Sequence, residues 1–387
     1  EYVHTQMTPS GELVLFTRDE FAGNDPIAFE DGITADDLWI NLVGDDLLVG
    51  IRDGDIEIFD LDDLITVTDW RDSLNRIETL QFEDGTQLNV ADILQHISGS
   101  GGDDVLSWSG PENTAMDGAG GNDSIVGAGG NDSLSGGEGD DTIRLGNGDN
   151  LGLGDEGNDT VLGGTGRDTI DGGSGDDYID GGAGEDLLVG GAGDDTIRGS
   201  GGSQGTINEA AASDTLSGGA GDDELRGGGG NDTYVYRAGE GHDQILDEYV
   251  YTGRSPLGAV YSPVDMDGGT ADRLQLVGDG MVDNTTFSLN GSTLYVGVGE
   301  NGAEDIADYD DLVQINRWTE ANREVEGFEF VDDGVNVTGD QLRSVFDSVT
   351  SGDDYIDASF IGFGLDAGAG NDTVIGSDYA DRFDGGS

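Results

Sequence analysis

One nine-residue pattern, glycine-glycine-any-glycine-any-aspartate-any-aliphatic-any, recurs nine times without a break from Gly118 to Arg198. A period this strict constrains the fold more than any local propensity does. Its glycines allow tight turns with positive φ, its aspartate supplies a hard oxygen ligand, and its aliphatic residue makes a very short strand. Side chains alternate along a strand, so position 8 points inward while positions 7 and 9 point outward. Position 8 carries Ile125, Leu134, Ile143, Val161, Ile170, Ile179, Leu188 and Ile197, whereas position 9 mixes Arg144, Asp171 and Arg198 with Val126 and Val189. A glycine- and aspartate-rich linker would have no reason to place an aliphatic residue two positions after each aspartate.

This nonamer resembles the RTX family of secreted calcium-binding repeats. The resemblance implies an all-β fold: a right-handed parallel β-roll alternating with small antiparallel β-rich capping modules. In such a roll two nonamers complete one coil, and frame n stacks on frame n+2. Asp123, Asp141, Asp159, Asp177 and Asp195 then form one row, and Asp132, Asn150, Asp168 and Asp186 the other. Asp104 precedes them, Asp214, Asp223, Asp232 and Asp243 follow, and Asp354, Asp372 and Asp381 belong to a later run. These aspartates are the expected metal ligands. Stacked carboxylates repel unless a cation lies between them. Ca²⁺ fits, because it takes six to eight oxygens and accepts backbone carbonyls, whereas Mg²⁺ holds its waters and demands a tighter octahedron. Frame 145–153 has Asn150 at the ligand position and Gly152 at the core position, which predicts a weak or missing site and little effect from Asn150→Ala. Residues 199–208 lack aspartate and contain one extra residue, so a bulge is expected there before the core aliphatic resumes at Leu216.

The formal charge is −67, with 15 Lys and Arg against 82 Asp and Glu. Divalent cations can offset that self-repulsion where the few basic side chains cannot, so folding should be linked to calcium. The charge argues against nucleic acid and anionic membrane surfaces, and no apolar run approaches a membrane span. Sites of this kind fill where calcium is near millimolar, outside the cell. The resemblance implies type I secretion from a bacterium. The chain stops inside a repeat frame at Gly385-Gly386-Ser387 and reads as a fragment of something longer. Expected partners are calcium ions, with self-association or an extracellular or cell-surface ligand beyond them.

A longer repeat of about 249 residues overlies the nonamers. DDLITVTDW (62–70) returns as DDLVQINRW (310–318), pairing Trp70 with Trp318, and Ile77, Glu78, Leu80 and Phe82 correspond to Val325, Glu326, Phe328 and Phe330. The expected domains are the end of a preceding unit (1–23), a module (24–98), a roll (99–247), an inserted loop (248–265), a second module (266–348) and a second roll (349–387). DLWINLVGDDLLVGI and DGDIEIFDL predict antiparallel strands with turns at Asp45-Asp46 and Asp53-Gly54, and FSLNGSTLYVGV predicts a hairpin at Asn290-Gly291. Thr338 with Gln341 predicts a capped helix, and Asn89 before Ile93, Leu94 and Ile97 predicts another. The modules resemble the small domain that accompanies haemolysin-type calcium repeats, and they should retain structure without metal. They would cap a roll whose open end exposes apolar side chains and strand edges.

Catalytic readings fail on the residues present. Gly201-Gly202-Ser203-Gln204-Gly205 matches a nucleophile elbow, but it lies in repeat sequence, and the histidines are only His4, His96 and His242. Three scattered histidines without cysteine cannot build a zinc site. The expected function is a calcium-rigidified structural segment of a tandemly repeated extracellular protein, such as an adhesin stalk, surface layer or filament. The alternative is the RTX tail of a secreted lipase, protease or polysaccharide-modifying enzyme. An ice-binding roll would want a regular row of threonines, and position 3 offers only Thr165.

Overall fold

A computed structural model describes residues 3–7, 13–17, 26–29, 33–43, 46–51, 64–67, 79–199, 212–246, 272–278, 285–290, 292–298, 311–316, 318, 325, 327–349, 354–357, 364–366, 370–376 and 382–384. Several expectations lie outside them: the interruption after Gly199 with its Ser203 motif, the insert 248–265, the turn at Asp53-Gly54, Trp70, and Asp381. The chain divides into two units, Glu1–Gly163 and Gly164–Ser387.

In the first unit the nonamers build two parallel sheets. One pairs Val105–Ser107 with Ser124–Val126 and then Thr142–Asn147; the other pairs Ile97–Ser98, Ala115–Asp117, Ser133–Glu138 and Leu151–Glu156. Partners such as Ile125 and Ile143 are one coil of two frames apart, as the stacking of alternate frames requires. Position 8 faces the interior, where Ile125, Leu134, Ile143 and Val161 are at most 1% exposed. Glycines at positions 2 and 4 take positive φ, for example Gly137 at 105° and Gly139 at 124°, and a Cβ at either of these two would strike the preceding coil. Frame 145–153 compensates for Gly152 locally. Leu145, drawn from position 1, is fully buried, and its Cδ1 and Cδ2 lie 3.0 and 3.2 Å from where a Gly152 Cβ would stand.

The module before this roll has two sheets. Pro26–Phe29 pairs in parallel with Thr79–Phe82, which pairs antiparallel with Gln87–Asn89. Leu38–Val43, Asp46–Ile51 and Leu64–Val67 form an antiparallel run, joined to the roll through Ile40 opposite Ile97. Val43 faces Asp46, so Asp46 belongs to a strand and not, as expected, to the turn. Helix α1, Val90–Ile93, is capped by Asn89, whose Oδ1 accepts from Ala91 and Asp92. Ile97 lies beyond it, in a roll strand.

The second unit repeats the parallel pattern and carries its sheets into the second module. Leu187–Ala192 pairs with Thr215–Ala220 in unbroken register, Leu188 against Leu216, although 28 residues separate them instead of 18. Ten additional residues in the sequence between these strands therefore do not shift their register. Thr233–Arg237 then pairs in parallel with Arg273–Val277, and that strand with Gly327–Phe330. On the other sheet, His242–Ile245 pairs with Asp311–Ile315, which leads antiparallel into Thr293–Val298 and Thr285–Asn290. Asn290 faces Thr293, so Asn290 belongs to a strand and not, as expected, to the turn. Helix α2, Gly339–Phe346, has the expected Thr338–Gln341 box, buries Leu342 and Val345, and sets Phe346 edge-on to Trp318. Tyr355–Asp357 pairs with Thr373–Ile375, and Gly364–Asp366 with Arg382–Asp384, both in parallel.

Candidate metal centres

The aspartate at position 6 closes each turn and points inward beside the strand start. From Asp104 to Asp243 every expected ligand is 9% exposed or less, and most are near 2%. One carboxylate oxygen has a fixed partner. Asp123 Oδ1 accepts the backbone N–H of Asp104 at 2.7 Å, Asp141 Oδ1 that of Asp123 at 2.6 Å, and Asp159 Oδ1 that of Asp141 at 2.7 Å. The second unit continues in the same sense, with Asp168 to Asp186 (2.9 Å), Asp177 to Asp195 (2.8 Å) and Asp186 to Asp214 (2.9 Å). Asp195 to Asp223, Asp214 to Asp232 and Asp223 to Asp243 extend both rows. In the later run Asp354 donates to Asp372 Oδ1 at 2.9 Å.

The other oxygen is the informative one. Oδ2 of Asp123, Asp132, Asp141, Asp186, Asp195, Asp214, Asp223, Asp243 and Asp372 is buried with no protein hydrogen-bond partner. A buried polar atom left so costs about 1–3 kcal/mol, more when charged, so its recurrence at these nine aspartates points to a ligand. The position-1 glycines show where it lies. A Cβ on Gly118 would collide with Asp123 Oδ2 and the Gly136 carbonyl oxygen, and one on Gly136 with Asp141 Oδ2 and the Gly154 oxygen. A Cβ on Gly181 would stand 2.6 and 2.8 Å from Asp186 Oδ2 and the Gly199 oxygen, and one on Gly199 would stand 2.5 and 2.7 Å from Asp214 Oδ2 and the Gly227 oxygen. Each cradle therefore joins one carboxylate oxygen to a carbonyl of the next coil and is kept open by a missing side chain. Among the described residues no three acidic, imidazole or thiol side chains converge on one point. A mixed carboxylate and carbonyl donor set suits calcium and not zinc.

Electrostatics agree. Burial, with repulsion from nearby carboxylates, pushes Asp186 and Asp223 up to about 6 and Asp123 to about 7. Asp195 and Asp214 rise to about 8 and Asp243 to about 9, each chiefly through burial. Without a cation Asp195, Asp214 and Asp243 resist ionisation at neutral pH.

Asn150 departs from the pattern instructively. Its Oδ1 accepts the Asp132 N–H at 2.8 Å, as an aspartate would, while its Nδ2 donates to the Gly148 carbonyl at 3.1 Å. The amide satisfies both rungs without a cation. Asn150 is therefore structural, and the expectation that Asn150→Ala does little is corrected: the change would orphan a buried N–H.

Three features were not anticipated. Thr114 heads the second row, donating through N and Oγ1 to Asp132 Oδ1. Asp272, 1% exposed, extends that row into the second module by accepting the Asp232 N–H at 2.7 Å. Its signal was present in Asp267-Gly268-Gly269-Thr270-Ala271-Asp272-Arg273-Leu274, a degraded frame with Leu274 in register with Tyr234. Position 5 forms an exposed ladder of opposite sense, in which Asn122 Oδ1 accepts from Asp140 and Asp194 Oδ1 from Asp222. Its recurrent asparagine and aspartate were legible but were read as variable.

Comparisons with known proteins complete the picture. No curated protein matches the chain. The family model described as RTX calcium-binding nonapeptide repeat (4 copies) matches residues 117–151, 153–188, 180–203, 211–245 and 366–387. The haemolysin-type calcium binding protein related domain matches residues 46–92. Those spans hold most of both buried aspartate rows and the strands 46–51, 64–67, 79–82 and 87–89 of the first module, and the chain thus carries RTX nonapeptide repeats, which bind Ca²⁺.

Proposed function

We propose that this chain is a calcium-rigidified structural segment of a secreted, tandemly repeated surface protein, of adhesin-stalk, surface-layer or filament type, without catalytic activity of its own. The repeats themselves are structural calcium-binding modules and not catalytic ones. The carrying observation is the cradle, a buried carboxylate oxygen facing a carbonyl of the next coil, repeated along both rows. In this reading Asp104, Asp123, Asp132, Asp141, Asp159, Asp168, Asp177, Asp186, Asp195, Asp214, Asp223, Asp232 and Asp243 hold calcium in the roll 99–247. Asp354, Asp372 and Asp381 do so in the roll that follows the second module. Calcium near millimolar outside the cell fills such sites, while a cytosolic level leaves the chain unfolded and exportable by type I secretion. The module–roll–module order supports a structural role, since cap-and-roll units in series make a spacer. Circular dichroism during calcium titration tests the reading: β-structure should appear cooperatively toward millimolar calcium and vanish with chelator. A spectrum indifferent to calcium refutes it.

A further inference from the structure

The two modules are built in the same register. Leu38 faces Ile51 as Thr285 faces Val298, Leu47 faces Val67 as Leu294 faces Ile315, and Ile27 faces Leu80 as Leu274 faces Phe328. In the second module two strands receive the last coil of a roll. Arg273–Val277 lies parallel to Thr233–Arg237, and Asp311–Ile315 parallel to His242–Ile245. Their counterparts in the first module are Pro26–Phe29 and Leu64–Val67. Among the described residues both are terminal strands in the hydrogen-bonded order of their sheets. The sequence around them agrees. Glu1-Tyr2-Val3-His4-Thr5 recurs as Glu248-Tyr249-Val250-Tyr251-Thr252, and Asp25 stands where Asp272 accepts a ladder bond.

We infer that the outer edges of Pro26–Phe29 and Leu64–Val67 form a docking surface for the closing coil of an RTX roll, the coil equivalent to residues 233–245, supplied by a preceding copy of this unit. Edge strands offer unpaired N–H and C=O groups, and strand addition satisfies them. Continuity with the junction already formed at 273–277 and 311–315 fixes the partner and its parallel direction. One rung differs. Arg273 donates its N–H to the Asp232 carbonyl at 2.9 Å, and Pro26 has no N–H to give. The first junction is therefore one hydrogen bond poorer than the second, and Ala28 carries the next rung.

This inference rests on the tandem reading above, and the test separates the two. The full chain is extended at Glu1 by its own residues 99–247, joining Asp247 to Glu1 as Asp247 joins Glu248. Hydrogen exchange in millimolar calcium is compared between extended and original chains. Amides of residues 27–29 and 64–67 should slow by on the order of 100-fold, toward the level of 274–277 and 312–315. A cysteine pair gives a second readout, because the chain has no cysteine. Ala28→Cys with Val235→Cys in the added roll, the positions of Gln275 and Val235, should form a disulfide in calcium and not in chelator. An added roll that is protected by calcium while 27–29 and 64–67 exchange as before, with no disulfide, overturns the docking surface and leaves the calcium reading intact. An added roll that gains no protection from calcium overturns both.

Discussion

Asp195→Asn separates the two jobs of a ladder aspartate. Asp195 is 2% exposed; its Oδ1 accepts the Asp177 N–H at 2.8 Å, and its Oδ2 faces the Gly218 carbonyl near Gly190. Asparagine keeps Oδ1 and replaces the ligand oxygen with an amide that can donate to a carbonyl, as Asn150 does. With the folded carboxyl near 8 and an ordinary value of 3.8, burying it in the metal-free roll at pH 7.5, where it must take up a proton on folding, costs about 5 kcal/mol at about 1.4 kcal/mol per pH unit. Water reaching the neighbouring turns screens part of this, leaving about 2–3 kcal/mol. In chelator, where an excluded osmolyte drives folding, the variant should therefore fold more readily than the parent. In calcium it should bind fewer ions. Asp195→Ala loses the ligand and also orphans the Asp177 N–H, so in chelator it should fold less readily than Asn by about 1–3 kcal/mol. The assay is circular dichroism against osmolyte concentration, with bound calcium counted by equilibrium dialysis. Identical behaviour of Asn and Ala in chelator, or unchanged calcium stoichiometry in both, refutes the reasoning.

Other consequences follow from the same geometry. Asn150→Asp should add no bound calcium, because position 1 of its frame is Leu145, whose Cβ occupies the place that a cradle glycine leaves open, and it should make the metal-free roll harder to fold at neutral pH; a raised ion count would contradict the cradle. Gly190→Ala places a methyl against Asp195 Oδ2 and the Gly218 oxygen, so it should abolish that site although Gly190 needs no positive φ; retained stoichiometry counts against it. Folded carboxyls raised above their unfolded values contribute stability that is full below about pH 4 and lost as pH rises through about 6 to 9. The metal-free chain should thus gain β-structure on acidification from pH 9 to pH 5, while the calcium needed for folding increases as protons compete for the ligands. Limited proteolysis in calcium should spare 99–199, and in chelator should cut throughout it; the opposite order would make the repeats a linker.

Much of the roll was legible because its chemistry is periodic. The interval of nine fixes which side chains share a face, so the inward row and the aspartate rows followed from counting, with the coil of two frames supplied by the family resemblance. What escaped were the places where one residue substitutes for another in space. Leu145 fills the hole at Gly152 from a different position of the frame, which no alignment of frames reveals. Asn150 differs from aspartate by a hydrogen-bond donor whose partner, Gly148, is identifiable only once the turn is folded. Asp272 was hidden because its frame has lost the position-4 glycine and stands apart from the recognised run. The hairpin turns were misplaced, since Asp-Asp and Asn-Gly mark a turn's vicinity while cross-strand packing sets its register.

The central claim is that calcium lies between a position-6 carboxylate and a position-1 carbonyl of the next coil. Crystals grown in millimolar calcium, measured for calcium anomalous scattering, locate the ions directly. Peaks beside Gly118, Gly136, Gly181, Gly190 and Gly199, with none at the Asn150 rung, are the expected result. Peaks confined to the exposed position-5 carboxylates, with the cradles empty, would contradict it.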